Sequence, residues 1–318
     1  MAQVWDPIGL VAPVTIKYRI DLQELWSTGY GWDDILPEAI QQEWKENEEA
    51  INQLLSFKFD RKLKPDHAIG PPQVHGFADG GELGYGAAIF LRWKLQDGSH
   101  QCVPVIVKPF VAPLKRKTIP RLELLGCLAL TRIYNTCQEA LAFVNFHECD
   151  RTFWTDSRTV LTWIKTPPRE FRPFVSVRVA EIQETVGSEQ FRYIKSKYNP
   201  ADALTRGIAP GDLESWISGP SFLKLPETEW PKFEDEDQNP HQDRKETLKE
   251  MKAATKWHDN SREFHAASVH KEKEDNPIFC YLLQSCSTFT KIRRVLAYVH
   301  RFVDITRRRA NTQCRSNM

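Results

Sequence analysis

The chain has 318 residues, 41% of them hydrophobic, which is enough to bury at least one sizeable core and, by length, about two domains. No run of about 18 uninterrupted apolar residues occurs, and Met1-Ala2-Gln3-Val4-Trp5-Asp6 lacks the charged-then-apolar layout of a secretory leader, so a membrane span and secretion are both set aside and a cytoplasmic or nuclear location is expected. Seven cysteines without a Cys-x-x-Cys pair read as reduced thiols, with Cys102 and Cys127 in the core, and a formal net charge of +1 means that any basic footprint for nucleic acid must be local.

In chain order, Ile16, Ile20 and Leu25-Trp26 recur at helical spacing, and Ile40, Trp44, Ile51 and Leu54-Leu55 do so again after Pro37. Two amphipathic helices are predicted. The punctuation from Lys62-Leu63-Lys64-Pro65 to Gly70-Pro71-Pro72 then marks a domain edge. From Val74 the period becomes that of strands. Asp79 ends the first, Gly80-Gly81 turns the chain, Tyr85 to Trp93 forms the second, and Asp97-Gly98 is a hairpin signal ahead of Cys102 to Val107. Pro104 favours an edge position for that third strand. Leu122 to Ile133 reads as a helix with Pro120 near its start; Thr152 to Thr155 is a short strand running into Asp156 and a helix through Ile164; Phe191 to Ile194 is a last strand before Asn199-Pro200 opens another helix. Three strands, helix, strand, helix, strand, helix is the element order of an RNase H-like mixed sheet, an α/β (α+β) fold with five strands.

The expected organisation is a small helical region at 1–65, the mixed-sheet domain at 72–225, an acidic and polar linker at 226–277, and an amphipathic basic helix at 278–305. Four carboxylates fall at informative places in this order. Asp79, Asp156 and Asp202 stand at strand ends or helix starts, and Glu123 interrupts the otherwise apolar run Leu122, Leu124, Leu125, Gly126, Cys127 and Leu128. Each has an ordinary reading alone: Asp79 as a turn former before glycine, Asp156 as a helix cap, Asp202 at N3 of a capping-box-like start, and Glu123 as the partner of Arg121 or Arg132. Taken together they suit two divalent cations about 4 Å apart, because Mg²⁺ and Mn²⁺ prefer carboxylate oxygen and phosphodiester hydrolysis uses such a pair.

The longer motifs resemble the polymerase-to-RNase H region of Bel/Pao-type LTR retrotransposon polyproteins. They are Trp5-Asp6-Pro7-Ile8-Gly9-Leu10-Val11-Ala12-Pro13, Leu22-Gln23-Glu24-Leu25-Trp26 with Trp32-Asp33-Asp34, Val111-Ala112-Pro113-Leu114-Lys115, Thr118-Ile119-Pro120-Arg121-Leu122-Glu123-Leu124, Trp154-Thr155-Asp156-Ser157, and Asn199-Pro200-Ala201-Asp202 with Thr205-Arg206-Gly207. The resemblance covers roughly residues 5–230, with a weaker match near Ser287 to Phe302. It implies that Asp79, Glu123, Asp156 and Asp202 are the metal-ligating catalytic acids of an endonuclease cutting RNA in RNA–DNA hybrids. Residues 1–65 would then be a reverse-transcriptase thumb or connection remnant, with the polymerase part of the parent polyprotein as a further partner. An inactive or domesticated remnant that binds nucleic acid or protein is the alternative.

Departures from the family pattern sharpen this expectation. The first strand usually ends in Asp-Ala-Ser, whereas Ala78-Asp79-Gly80-Gly81 stands here, which predicts a looser substrate-side turn. Ser196-Lys197-Tyr198 supplies no histidine before the last acid, leaving Lys197 as the candidate for part of the product-side role. No Tyr-x-Asp-Asp polymerase signature occurs, and neither Asp79-Gly80 nor Asp156-Ser157-Arg158 is the Asp-Thr/Ser-Gly loop of an aspartic protease, so polymerase, integrase and protease activities are not expected. His265, His270, Cys280 and Cys286 could form a Cys₂His₂ set, but their spacing is poor for zinc. Basic residues placed beside the acids, Lys115, Lys117 and Arg121, then Arg169 and Arg172, then Lys195 and Lys197, are the expected phosphate contacts.

Overall fold

The computed structural model describes residues 4–141, 146, 149–231 and 240–252. The segment at 278–305 and the residues His265, His270, Cys280 and Cys286 lie outside them. Strands β1 (Ala68–Gly80), β2 (Gly84–Leu95) and β3 (His100–Val111) form an antiparallel meander. Strands β4 (Arg151–Thr155) and β5 (Phe191–Tyr193) continue the sheet in parallel from the other side of β1, giving the order β3-β2-β1-β4-β5.

Turn chemistry accounts for much of this register. Gly98, at a φ of 85°, occupies a left-handed position in the β2–β3 turn, as Asp97-Gly98 predicts. Pro104 lies on the edge strand where the pairing slips between Ile89 and Phe90, a place where a missing N–H does least harm. The first strand starts earlier than expected: Ala68 and Ile69 pair with Leu95 and Lys94, and Gly70-Pro71-Pro72 is a bulge inside β1 rather than a spacer before it. A bulge already leaves backbone groups out of the ladder, so two prolines fit there.

Helices α3 (Ile119–Ala140), α4 (Arg158–Lys165) and α5 (Pro173–Val186) cover one face of the sheet, burying Leu124, Leu128, Val160, Trp163, Val179 and Ile182 against Ala78, Ile89 and Phe153. Helix α5 has no counterpart among the predicted elements. Its Val175, Val177 and Val179 alternate like a strand, but the buried set is Val175, Val179, Ile182 and Val186, at helical spacing, and Val177 is 63% exposed.

The opposite face is covered by α1 (Ala12–Thr28), α6 (Ala203–Arg206) and the turn Ser221–Lys224, where Ala12, Leu204, Phe222 and Leu223 pack on Phe77, Phe90, Val107 and Trp154. Helix α2 (Glu38–Leu54) returns beside α1, tied by the Tyr18 hydroxyl donating to the Asn47 carbonyl and by Asn47 Nδ2 donating to Asp21 Oδ2 at 2.9 Å. Both N-terminal helices are therefore as predicted, yet they do not form a separate body. Val107 N–H donates to the Ile8 carbonyl at 2.7 Å, Ile208 N–H to Pro13 at 3.0 Å, and Gln23 Nε2 to Ala112 at 3.0 Å. The described residues all fall within one compact unit.

Part of the expected linker is likewise built into this unit. After α7 (Leu213–Ile217), helix α8 (Pro240–Glu250) lies against α4, and Met251 bridges to Phe171. Among the described residues Cys102, Cys127, Cys137 and Cys149 are buried, and no helix is long and apolar enough to cross a membrane.

Candidate active site

Two glycines bring the first two acids together. A Cβ on Gly80 would stand 2.3 Å from the backbone nitrogen of Glu123, and one on Gly126 would stand 2.4 Å from the Asp79 carbonyl oxygen. The end of β1 therefore lies directly on the first turns of α3, an approach that side chains at either position would prevent. Gly80, expected to loosen the turn, instead closes the strand onto the helix. The parallel pairing of β1 with β4, Ala78 opposite Thr155, sets Asp156 at the same end of the sheet as Asp79.

The fourth acid is anchored by Asn199. Its Nδ2 donates to the Ala78 carbonyl at 3.0 Å, and its Oδ1 accepts from Ala201 N–H at 3.2 Å, capping the turn Pro200–Asp202. One buried side chain thus joins the last residue before Asp79 to the start of the segment that carries Asp202.

The electrostatics show that the four acids share one neighbourhood. Burial pushes the Glu123 carboxyl up to about 8, with the charges of Asp156 and Asp79 adding to the shift and a hydrogen bond from Ser157 opposing it. Burial, and then the charge of Asp79, push Asp156 up to about 6. Asp202 is also raised, by burial and by Asp79, against the opposing pull of Arg206 at 2.9 Å. Asp79, only 7% exposed, is the group whose charge reaches the other three.

Neither arginine expected as a structural partner neutralises Glu123. Arg121 pairs with Glu250 at 2.7 Å, and Arg132 with Glu181 at 2.6 Å. Glu123 instead accepts from the Ser157 hydroxyl. Ser157 also accepts from Val160 N–H at 3.2 Å, so the cap of α4 is Ser157 and not Asp156. Thr205 Oγ1 lies 2.6 Å from Asp79 Oδ2 and 3.0 Å from the Asp202 carbonyl; a hydroxyl has one hydrogen, and the nearer, charged acceptor takes it.

Ser157, Asn199 and Thr205 are the residues that reading for acids passes over. Their signal was present: each sits within three residues of an acid inside the motifs Trp154-Thr155-Asp156-Ser157 and Asn199-Pro200-Ala201-Asp202 with Thr205.

The donor set is hard oxygen, and Asp156 Oδ1 is buried with no hydrogen-bond partner, so these residues fit divalent cations. Among the described residues no three acids are drawn closely enough to form a ready metal cluster. Hydroxyls and Arg206 hold three of the carboxylates in the arrangement seen.

The basic candidates divide. Lys115, Arg169, Arg172 and Lys197 are exposed, and Lys117 and Lys195 partly so. Lys197 lies 4.9 Å over the Tyr198 ring, and Lys117 lies 5.1 Å over that of Phe174. Arg121 is engaged by Glu250 and also stacks on Phe174 at 4.8 Å.

A mixed sheet in the order β3-β2-β1-β4-β5 with acids gathered at the end of β1 defines an RNase H-like domain. Residues 1–157 match the family model described as Pao retrotransposon-like RNaseH-like domain. The match supports a Bel/Pao-type retrotransposon polyprotein fragment over these residues. No curated protein matches the chain. Among solved structures it is similar to the N-terminal RNase H domain of a Mycobacterium tuberculosis protein, solved as a maltose-binding-protein fusion, at 16% identity, covering 46% of this chain and 96% of that one with a TM-score of 0.28. It is also similar to RNase H1 from the halophilic archaeon Halobacterium salinarum, at 17% identity, covering 46% and 98% with a TM-score of 0.27.

Proposed function

We propose that the chain is a metal-dependent endonuclease that cuts the RNA strand of RNA–DNA hybrids, with Asp79, Glu123, Asp156 and Asp202 as its catalytic acids. The observation carrying this reading is the gathering of four carboxylates from separate segments at one end of the sheet, with Arg206 paired to Asp202. Uncompensated like charges in a partly buried site oppose folding, and a bound cation removes that cost.

Two Mg²⁺ or Mn²⁺ ions, when bound, would supply the positive charge for hydrolysis of a phosphodiester. The protein's own groups prepare the place. Asp79 and Asp156 would bind the ions centrally, with Glu123 and Asp202 completing the two sites. The Thr205 hydroxyl fixes the rotamer of Asp79, Ser157 that of Glu123, and Asn199 holds β1 against the last turn. Without metal, Glu123 keeps its carboxyl proton up to about pH 8. Lys115, Lys117, Lys195 and Lys197 would meet phosphates along the hybrid, so binding should weaken with salt for hybrid and duplex DNA alike, and cutting should require 2′-hydroxyls.

The second reading is a remnant that binds nucleic acid without turnover. It is favoured by the absence of a ready metal cluster among the described residues. Incubation of the purified chain with labelled hybrid and Mg²⁺ decides between them. Cleavage that disappears in Asp79→Asn supports the enzyme, and intact hybrid at high protein concentration supports the remnant.

A further inference from the structure

Helix α8 is attached to the fold by its polar side. Asp243, Thr247 and Glu250, four and then three residues apart, share its inward face, while Leu248 is 58% exposed. A surface helix normally buries an apolar stripe. Here the anchors are ionic and hydrogen-bonded: Glu250 grips Arg121 through two contacts of 2.7 and 3.0 Å, and its carbonyl accepts from Arg172 N–H at 2.8 Å. Thr159 Oγ1 donates to Asp243 Oδ1 at 2.8 Å, and Lys252 N–H donates to the Glu170 carbonyl at 2.9 Å.

The packing beneath is incomplete. A cavity of about 530 Å³ lies between α4 and α8, lined by Arg158 and Thr162 from α4 and by Asp243, Arg244, Thr247, Leu248 and Met251. The Thr247 hydroxyl and the Arg158 Nε and Nη2 groups are buried without hydrogen-bond partners. An 11-residue helix has little stability of its own, so its place depends on these contacts.

What α8 covers is the notable part. Its footprint includes Arg121, Arg158 and the backbone of Arg172, immediately beside the acids, since Ser157 next to Arg158 holds Glu123 and the charge of Asp243 reaches Glu123. Glu250 therefore stands on Arg121, and Asp243, held by Thr159, lines the same cavity as Arg158.

We infer that the surface of Arg121, Arg158 and Arg172 is a docking site for a nucleic-acid phosphate backbone, and that α8 occupies it in the free protein through Glu250 and Asp243. The inference rests on the hybrid-cutting reading and adds its regulation: seating of α8 and seating of substrate exclude each other. A phosphate and a carboxylate ask the same of an arginine fork, two parallel N–H donors. Release of α8 frees Arg121 and moves two negative charges away from an incoming polyanion.

The test is binding of a short labelled RNA–DNA hybrid to the full chain with Ca²⁺ in place of Mg²⁺, over a range of salt. Glu250→Gln is expected to tighten binding about fivefold at low salt and to steepen the slope of log K against log salt by up to about one unit, as one more phosphate contact forms. Arg121→Gln should erase that gain, so that Glu250→Gln with Arg121→Gln binds no better than Arg121→Gln alone. A second, independent arm locks the helix with Thr159→Cys and Asp243→Cys. Oxidation should weaken hybrid binding and dithiothreitol should restore it. Equal affinity and equal slope for the unmodified chain and Glu250→Gln, or equal binding by the oxidised and reduced lock, overturns the α8 proposal alone. Failure of every variant to bind hybrid overturns it together with the function on which it rests.

Discussion

The two ends of β1 treat buried charge in opposite ways. At its start, Arg92 from the neighbouring strand is 4% exposed, yet it donates to the carbonyls of Leu223 at 2.7 Å and Leu225 at 2.8 Å and to Gln73 Oε1 at 2.5 Å, with the Trp230 ring 5.2 Å away. His75 beside it is held neutral, pushed down to about 3 by burial and then by Arg92 and Arg192, and it accepts from Trp154 Nε1 at 3.2 Å. At the other end burial and the charge of Asp79 raise the proton affinity of Glu123, Asp156 and Asp202, and one carboxylate oxygen of Asp156 has no partner. The first end satisfies its charge inside the fold. The second leaves charge to be satisfied from outside, which is what distinguishes a site from a structural network.

The largest expected effect breaks the site end. Asp156→Asn and Asp79→Asn should reduce hybrid cleavage to the level of a protein-free blank, while the metal-free thermal midpoint stays level or rises, since each removes a repelling charge. A midpoint that falls sharply in both would assign these acids to the structure of the fold. Next in size is the opposite change at the other end. Arg92→Met should cost about 3 kcal/mol in urea unfolding, because two carbonyls and Gln73 lose their donor. A loss below about 1 kcal/mol would mean that water reaches those carbonyls and that the two ends are less different than their contacts indicate.

How much of this contrast could be read in advance depends on what the sequence encodes locally. The acids were legible because strand ends and a carboxylate inside an apolar helix are positional signals, and Asp97-Gly98 and Pro104 fixed a hairpin and an edge. The close approach of β1 to α3 was not, because Gly80 and Gly126 are 46 positions apart and either glycine alone reads as a turn or a helix flaw. Helix α5 was hidden by valines that alternate, and α8 by a polar inward face that composition reports as linker. Arg92 had no signal at all: its partners at Leu223 and Leu225 are backbone carbonyls more than 130 residues away.

A pH titration separates the two ends in a single molecule. Glu123 has a folded value of about 8 against an ordinary 4.5, so the folded state holds the extra proton between those values and stability falls as pH rises, with the loss complete near 8. Asp156, at about 6 against 3.8, acts in the same direction over a lower window. His75, at about 3 against 6.5, acts oppositely: the unfolded state takes up the proton, and stability is lost as pH falls below 6.5. Between pH 6.5 and 8 Glu123 is the group of these three still titrating. In chelator, the midpoint should therefore fall across that interval, and Glu123→Gln should flatten it while leaving the limb below pH 4.5 unchanged. An unmodified slope in Glu123→Gln would remove Glu123 from the cluster.

The smallest expected effect concerns orientation rather than charge. Thr205 is 4% exposed and its hydroxyl hydrogen goes to Asp79 Oδ2, so Thr205→Val keeps the shape of the side chain and removes one hydrogen bond to an ionised group, a loss of about 1.5 kcal/mol in stability. Its consequence for cleavage should be a reduced rate at unchanged hybrid affinity, because Asp79 remains charged and in place but is free to rotate. Thr205→Ser restores the hydroxyl without the methyl group and should recover the rate while regaining only part of the stability, since the side chain is buried. Recovery of stability without rate would place Thr205 in the packing of α6 alone, and equal rates for valine, serine and threonine would show that Asp79 needs no help to keep its aim.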